Sequence, residues 1–240
     1  MLGGYAIAIA TVVLPMLSRN AATGDVEQMR STLNFASRII LFVTVPSTVG
    51  LVLLRTPIIQ VLFEHGEFDQ TSTAMTTLPL LFFALGLSAF SMVKVIVPAF
   101  YALHDTRTPV RIAVIAMVLN IVFNIAFFRP LQVGGPALAT SLAGVFNAVA
   151  LMVVFNRREG SIDAKSILDS LTRFVVASVP MGMVAVLLIN WPGFYYGQAL
   201  GQRIFALALT IASAGFVYFL ASYMLRCREL GEFRQVFLKR

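Results

Sequence analysis

Few side chains in this sequence are placed to do chemistry. Lys94 stands out, because it sits well inside a long apolar run, Leu78–Leu103. A charge at the centre of a bilayer costs roughly 2.5–3.5 kcal/mol on insertion scales, so such a residue usually faces a cavity or a partner. Its four-carbon stem equally allows the amine to snorkel to the headgroups. Pro98, one turn on, frees a backbone carbonyl nearby. Glu64, Glu67 and Asp69 form an acidic cluster beside His65. That cluster suits an outer gate or a cation site, and it equally suits a solvated loop. Asn120 and Asn124 are four apart and share one helical face. With Asn147 they are expected to hydrogen-bond between helices, the usual role of asparagine in a membrane.

The groups needed for most other chemistry are missing. The two histidines, His65 and His104, lie in different connections, and Cys227 is the single cysteine. No His- or Cys-based metal centre is expected, and no disulfide framework. The sequence holds no His-Glu-x-x-His, no P-loop and no Gly-x-Ser-x-Gly. All eleven acidic residues fall outside the apolar runs, so a proton relay within them has little to work with. Neither a cofactor nor an enzymatic activity is expected.

The elements that carry these residues follow from composition. Of 240 residues, 58% are hydrophobic and 12% charged, and the mean hydropathy is +0.85. Soluble domains run at about 45–50% apolar and about 25% charged, so a soluble or disordered chain is excluded. The sequence is that of an all-α, polytopic membrane bundle. Residues 1–240 read as one transmembrane domain. Its net charge of +7 fits basic loops facing anionic lipid rather than nucleic acid.

Seven apolar stretches of spanning character occur: Met1–Leu17, Phe35–Leu54, Leu78–Leu103, Val110–Phe128, Pro136–Phe155, Phe174–Trp191 and Ile204–Leu225. The first reads as a spanning helix that lacks its beginning, since no basic region precedes it as in a signal peptide. The short apolar piece Pro57–Phe63 is expected either to prolong the second helix or to lie at the interface. Arg38 and Arg111, near helix ends, are expected to snorkel. The odd-numbered connections and the tail 226–240 hold thirteen of the eighteen Lys and Arg, and the even-numbered connections three. This alternation predicts seven spans with a basic, cytoplasmic C-terminal tail. Trp191, Phe194, Tyr195 and Tyr196 in the sixth connection read as interfacial anchors.

The stretch Lys94-Val-Ile-Val-Pro-Ala-Phe-Tyr-Ala-Leu-His-Asp-Thr-Arg-Thr-Pro-Val110 resembles the signature of bacterial lipid II flippases, the MurJ/MviN family. That family belongs to the multidrug/oligosaccharidyl-lipid/polysaccharide exporter superfamily. Thr11–Arg19 is similar to the end of the family's eighth helix, and Leu62–Phe68 to its loop before the tenth. The resemblance implies a fourteen-helix, two-lobed parent, of which this chain supplies helices eight to fourteen. The first seven helices and their cavity arginines would then belong to a missing N-terminal lobe, in the same chain or in a partner chain.

The family moves a lipid-linked peptidoglycan precursor across the bacterial plasma membrane by alternating access. By resemblance, membrane lipids and that precursor are the partners here. Lys94 is the candidate cavity or interlobe charge, and Pro98, Tyr101, Asp105, Thr108 and Pro109 shape a cytoplasmic turn. Asp105 is expected to pair with Arg107 or Arg111. The last two runs would form an apolar groove for the lipid tail. Three alternatives remain at this level. They are an exporter of another lipid-linked polysaccharide or of drugs, a membrane transferase acting on lipid-linked sugars, and a noncatalytic scaffold for cell-wall enzymes.

Overall fold

A computed structural model describes residues 26–160, 163–191, 200–227 and 229. The run Met1–Leu17, the Thr11–Arg19 match, the aromatics at 194–196 and the rest of the tail lie outside the described residues.

Six helices follow one another: α1 Val26–Phe63, α2 Gln70–Ala102, α3 Arg107–Leu131, α4 Gly134–Glu159, α5 Ala164–Ile189 and α6 Leu200–Met224. All six are long and apolar enough to cross a membrane, and they match the second to seventh apolar runs. No strand occurs among the described residues.

Most helices outrun their apolar stretches, because a helix ends where its backbone groups find other partners rather than where hydrophobicity stops. α2 starts eight residues before Leu78 because Asp69 caps it, its Oδ1 accepting from the Ser72 amide at 2.8 Å. Asp163 caps α5 in the same way, accepting from the Ser166 amide at 3.1 Å. Pro57–Phe63 continues α1, which runs through Pro57 to Phe63. At 38 residues, α1 is roughly 57 Å long, well beyond a hydrocarbon core of about 30 Å. Glu27, Glu159 and Asp169, expected in connections, sit instead on these overhanging helical turns.

The helices pack in the spatial order α3–α4–α2–α1–α5, with α6 against α5 and touching α1. The consecutive helices α2 and α3 scarcely meet, so a cleft opens between them with α4 as its floor. Lipid offers little hydrophobic drive for one helix to join another, so packing rests on close backbone approach. The α2–α4 contact shows how. Phe90 lies over two glycines: a Cβ at Gly144 would sit 2.2 Å from its ring, and one at Gly86 2.7 Å. Ser141 Oγ on α4 donates to the Phe82 carbonyl of α2 at 2.7 Å. Larger rings fill the centre, with Phe42 edge-on to Phe174 and Phe100 edge-on to Phe155, both at 5.4 Å between centroids. α3 is the least buried helix, hiding only Thr108, Pro109, Ile112 and Ala116.

One end of the bundle gathers the basic connections. The N-terminal part of α1, the α2–α3 turn, the α4–α5 connection and the chain after α6 all meet there. Arg30 donates to the Glu159 carbonyl at the end of α4, and Asn34 Oδ1 accepts from the Asp163 amide at 3.2 Å. The α4–α5 connection is only four residues, 160–163, and turns through Gly160 at φ +72°.

Candidate functional site: a polar cleft and an apolar groove

Lys94 lies on α2, partly buried, in the wall of the α2–α3 cleft. The cleft has a volume of about 480 Å³ and also holds Asn120 of α3 with Thr140 and Asn147 of α4. The side chains there form a polar chain. Asn124 Nδ2 donates to Asn120 Oδ1 at 3.0 Å and to the Asn120 carbonyl at 2.9 Å. Asn120 Nδ2 donates across to Thr140 Oγ1 at 3.2 Å, and that hydroxyl donates to the Pro136 carbonyl at 2.8 Å.

Of the three asparagines, Asn120 alone makes the expected bond between helices. Asn124 bonds within its own helix, because a four-residue step places its amide over the preceding turn. Asn147 Oδ1 is buried without a hydrogen-bond partner, facing the same cleft as Lys94. A buried polar atom left in this way is costly.

The signature turn is built around Asp105. Its Oδ1 accepts from the Thr108 amide at 3.0 Å, capping α3 from one residue before the N-cap position Thr106. Its Oδ2 pairs with Arg158 at 2.6 Å, not with Arg107 or Arg111 as expected. Both of those arginines are exposed at the start of α3, and α4's end is what comes within reach. The bonds from Thr108, with the charge of Arg158 added, hold the Asp105 carboxyl below its usual range. Thr108 and Pro109 are buried, Tyr101 is exposed, and Pro98 lies within α2. Arg38 does not snorkel freely either. It pairs with the buried Glu229, Nε to Oε1 at 3.6 Å, a partner that lies far off in sequence.

The acidic cluster at the opposite end is held by local bonds. Glu64 Oε2 accepts from Thr73 Oγ1 at 2.8 Å, Asp69 is the α2 cap, and Glu67 is exposed. The Ser72 amide pulls the Asp69 carboxyl below its usual range. No group of three or more His, Cys, Asp or Glu placed to hold a metal occurs among the described residues.

An apolar groove of about 370 Å³ lies between α1 and α6, floored by Met181 of α5. Along α1 it runs from Phe42 to Ile58, and on α6 from Ile211 to Phe219. The family resemblance implied a groove formed by the last two helices. α1 supplies more of the wall than either, and only a contact between distant segments could reveal that.

These features define a polytopic helical membrane protein with a polar cleft and a separate apolar groove on one bundle. The profile of the family described as Lipid II flippase MurJ matches residues 2–200. A probable lipid II flippase MurJ of Rhizobium tropici is 35% identical over 236 residues, 98% of this chain and 44% of that protein. The lipid II flippase MurJ of Thermosipho africanus is 36% identical over 150 residues, 62% of this chain and 30% of that protein. A solved lipid II flippase MurJ in an inward closed conformation superimposes with a TM-score of 0.75 at 29% identity, covering 93% of this chain and 44% of that one. The chain therefore belongs to the MurJ family of lipid II flippases. It spans less than half the length of those relatives.

Proposed function

We propose that this chain forms the C-terminal lobe of a lipid II flippase in the bacterial plasma membrane, a transporter rather than an enzyme. The observation that carries the reading is the family match along residues 2–200. A sugar-pyrophosphate headgroup cannot cross hydrocarbon unaided, because burying its charges costs several kcal/mol or more each. A flippase must therefore give the headgroup a polar path and leave the tail in an apolar one. The cleft bearing Lys94 and the groove between α1 and α6 supply one of each on this lobe.

In this reading Lys94 offers its ammonium to the pyrophosphate or to the facing N-terminal lobe. Asp105, fixed to Thr108 and Arg158, sets the angle between α2 and α3 and so the width of the cleft mouth. The basic end of the bundle, with the C-terminal tail, faces the cytoplasm, an orientation that the distribution of Lys and Arg supports. Alternation between inward- and outward-open states then moves the headgroup without breaking a bond. The N-terminal lobe completes the cavity.

The test reconstitutes the intact protein, as the source cell makes it, into vesicles loaded with a fluorescent lipid II. Exposure of the headgroup to an impermeant modifying reagent is followed in time. Transport predicts modification beyond the outer-leaflet share in protein-bearing vesicles. Modification that stops at that share would refute it.

A further inference from the structure

We infer that the Arg38–Glu229 ion pair is a pin about which α6 pivots to open and close the apolar groove. The inference rests on the reading of that groove as the tail site, and makes Arg38, Ser170 and Glu229 positioning residues for it.

The pin joins three separate stretches of chain. Glu229, five residues beyond α6, is 2% exposed. Its Oε1 accepts from Ser170 Oγ of α5 at 2.7 Å and lies 3.6 Å from Arg38 Nε of α1. Arg38 Nη1 also donates to Ser166 Oγ of α5 at 3.3 Å. A buried pair of this kind is hard to break, because removing one partner strands the other charge away from water.

One turn further into the bundle the fastening continues. Tyr218 of α6 donates its hydroxyl to the Phe42 carbonyl of α1 at 2.8 Å, and the two rings lie 5.3 Å apart. Phe42 and Tyr218 close this end of the groove.

Beyond that point the two helices have no polar tie among the described residues. Ser47 turns back to the Val43 carbonyl and Thr210 to the Ala206 carbonyl of their own helices, while Thr48 bonds to the Ala84 carbonyl of α2. The facing positions are small. A Cβ added at Gly215 would meet nothing within 4 Å, and one at Gly50 only the Met181 methyl at 3.7 Å. α6 is thus fixed to α1 at one end and merely adjacent to it elsewhere. α6 also packs on α5, with Ala206, Leu207, Thr210 and Ala214 buried, so a swing about the fixed end slides it over α5. The swing would widen the groove most toward Ile58, roughly 24 Å along α1 from Phe42.

The test places pairs of spin labels in a cysteine-free form of the intact protein. A near pair at the exposed positions Ser31 and Tyr223 reports the pinned end, and a far pair at Thr56 and Gln202 reports the free end. The pin predicts a narrow near-end distance distribution and a broad far-end one. Glu229→Gln should broaden the near end toward the far-end width, and the charge-swapped Arg38→Glu/Glu229→Arg protein should restore it. If Glu229→Gln fails to insert, Ser170→Ala is read in the same way. A near end as broad as the far end in the unaltered protein, or one left narrow by these substitutions, overturns the pin. Failure of the groove reading is separate: a photoreactive lipid II that does not label Gly215→Cys removes the tail site and leaves the near-end distances as they are.

Discussion

At the residue scale, Lys94 carries the sharpest expectation. If its ammonium meets a pyrophosphate, Lys94→Ala removes a charge-assisted bond of about 1.5–3 kcal/mol, a loss of roughly tenfold or more in flipping. Lys94→Arg keeps the charge and should keep most of the rate; vesicle transport assays compare the three proteins. Asp105 belongs to the same scale. Asp105→Ala removes a helix cap worth about 1 kcal/mol and an exposed pair worth about 0.2–1 kcal/mol, whereas Arg158→Ala removes only the pair. Thermal unfolding in one detergent should therefore rank Asp105→Ala below Arg158→Ala. Because the folded carboxyl titrates below its ordinary value of 3.8, its contribution is full above that pH and lost as pH falls through the lower folded value. The Asp105–Arg158 contact should survive at pH 4.5 and fail only in stronger acid, as read by crosslinking across the pair. The sequence pointed to Asp105 and its turn because the motif is local. It could not point to Arg158, 53 residues away, since exposed arginines closer in sequence looked equally able to pair. Glu229 escaped notice for the same reason: its partners, Arg38 and Ser170, are brought to it only by the packing of three helices.

At the scale of elements, the apolar runs located every described helix, because twenty or so apolar residues in sequence have few other uses. Their ends were not legible, because caps such as Asp69 and Asp163 extend a helix into polar sequence. Nor was the order of packing, in which α2 turns away from α3 toward α4. That choice is made by small residues, chiefly Gly86 and Gly144 under the Phe90 ring. Gly144→Ala should force the ring to move and destabilise the bundle by about 1–3 kcal/mol. Phe90→Ala leaves room for the added methyl, so the double mutant should lose clearly less than the sum of the single losses. Unfolding free energies in micelles close that cycle, and strict additivity would mean that Phe90 does not seat α2 on α4.

At the scale of the whole molecule, the chain is one bundle with a polar cleft, an apolar groove and basic residues at one end. Its topology is checked by impermeant thiol labelling. Glu67→Cys should react in intact spheroplasts, and Thr106→Cys only after permeabilisation. The reverse pattern would place the tail outside. The bundle's open α2–α3 cleft and its match to under half of each relative agree with a lobe that works opposite another. The most direct measurement of the central claim replaces the lipid II flippase of a bacterial host with the intact protein and quantifies outer-leaflet precursor in living cells. The account predicts that the precursor reappears outside as the host flippase is depleted, and that Lys94→Ala weakens this. A protein that inserts at the normal level while the precursor stays on the inner leaflet would contradict it.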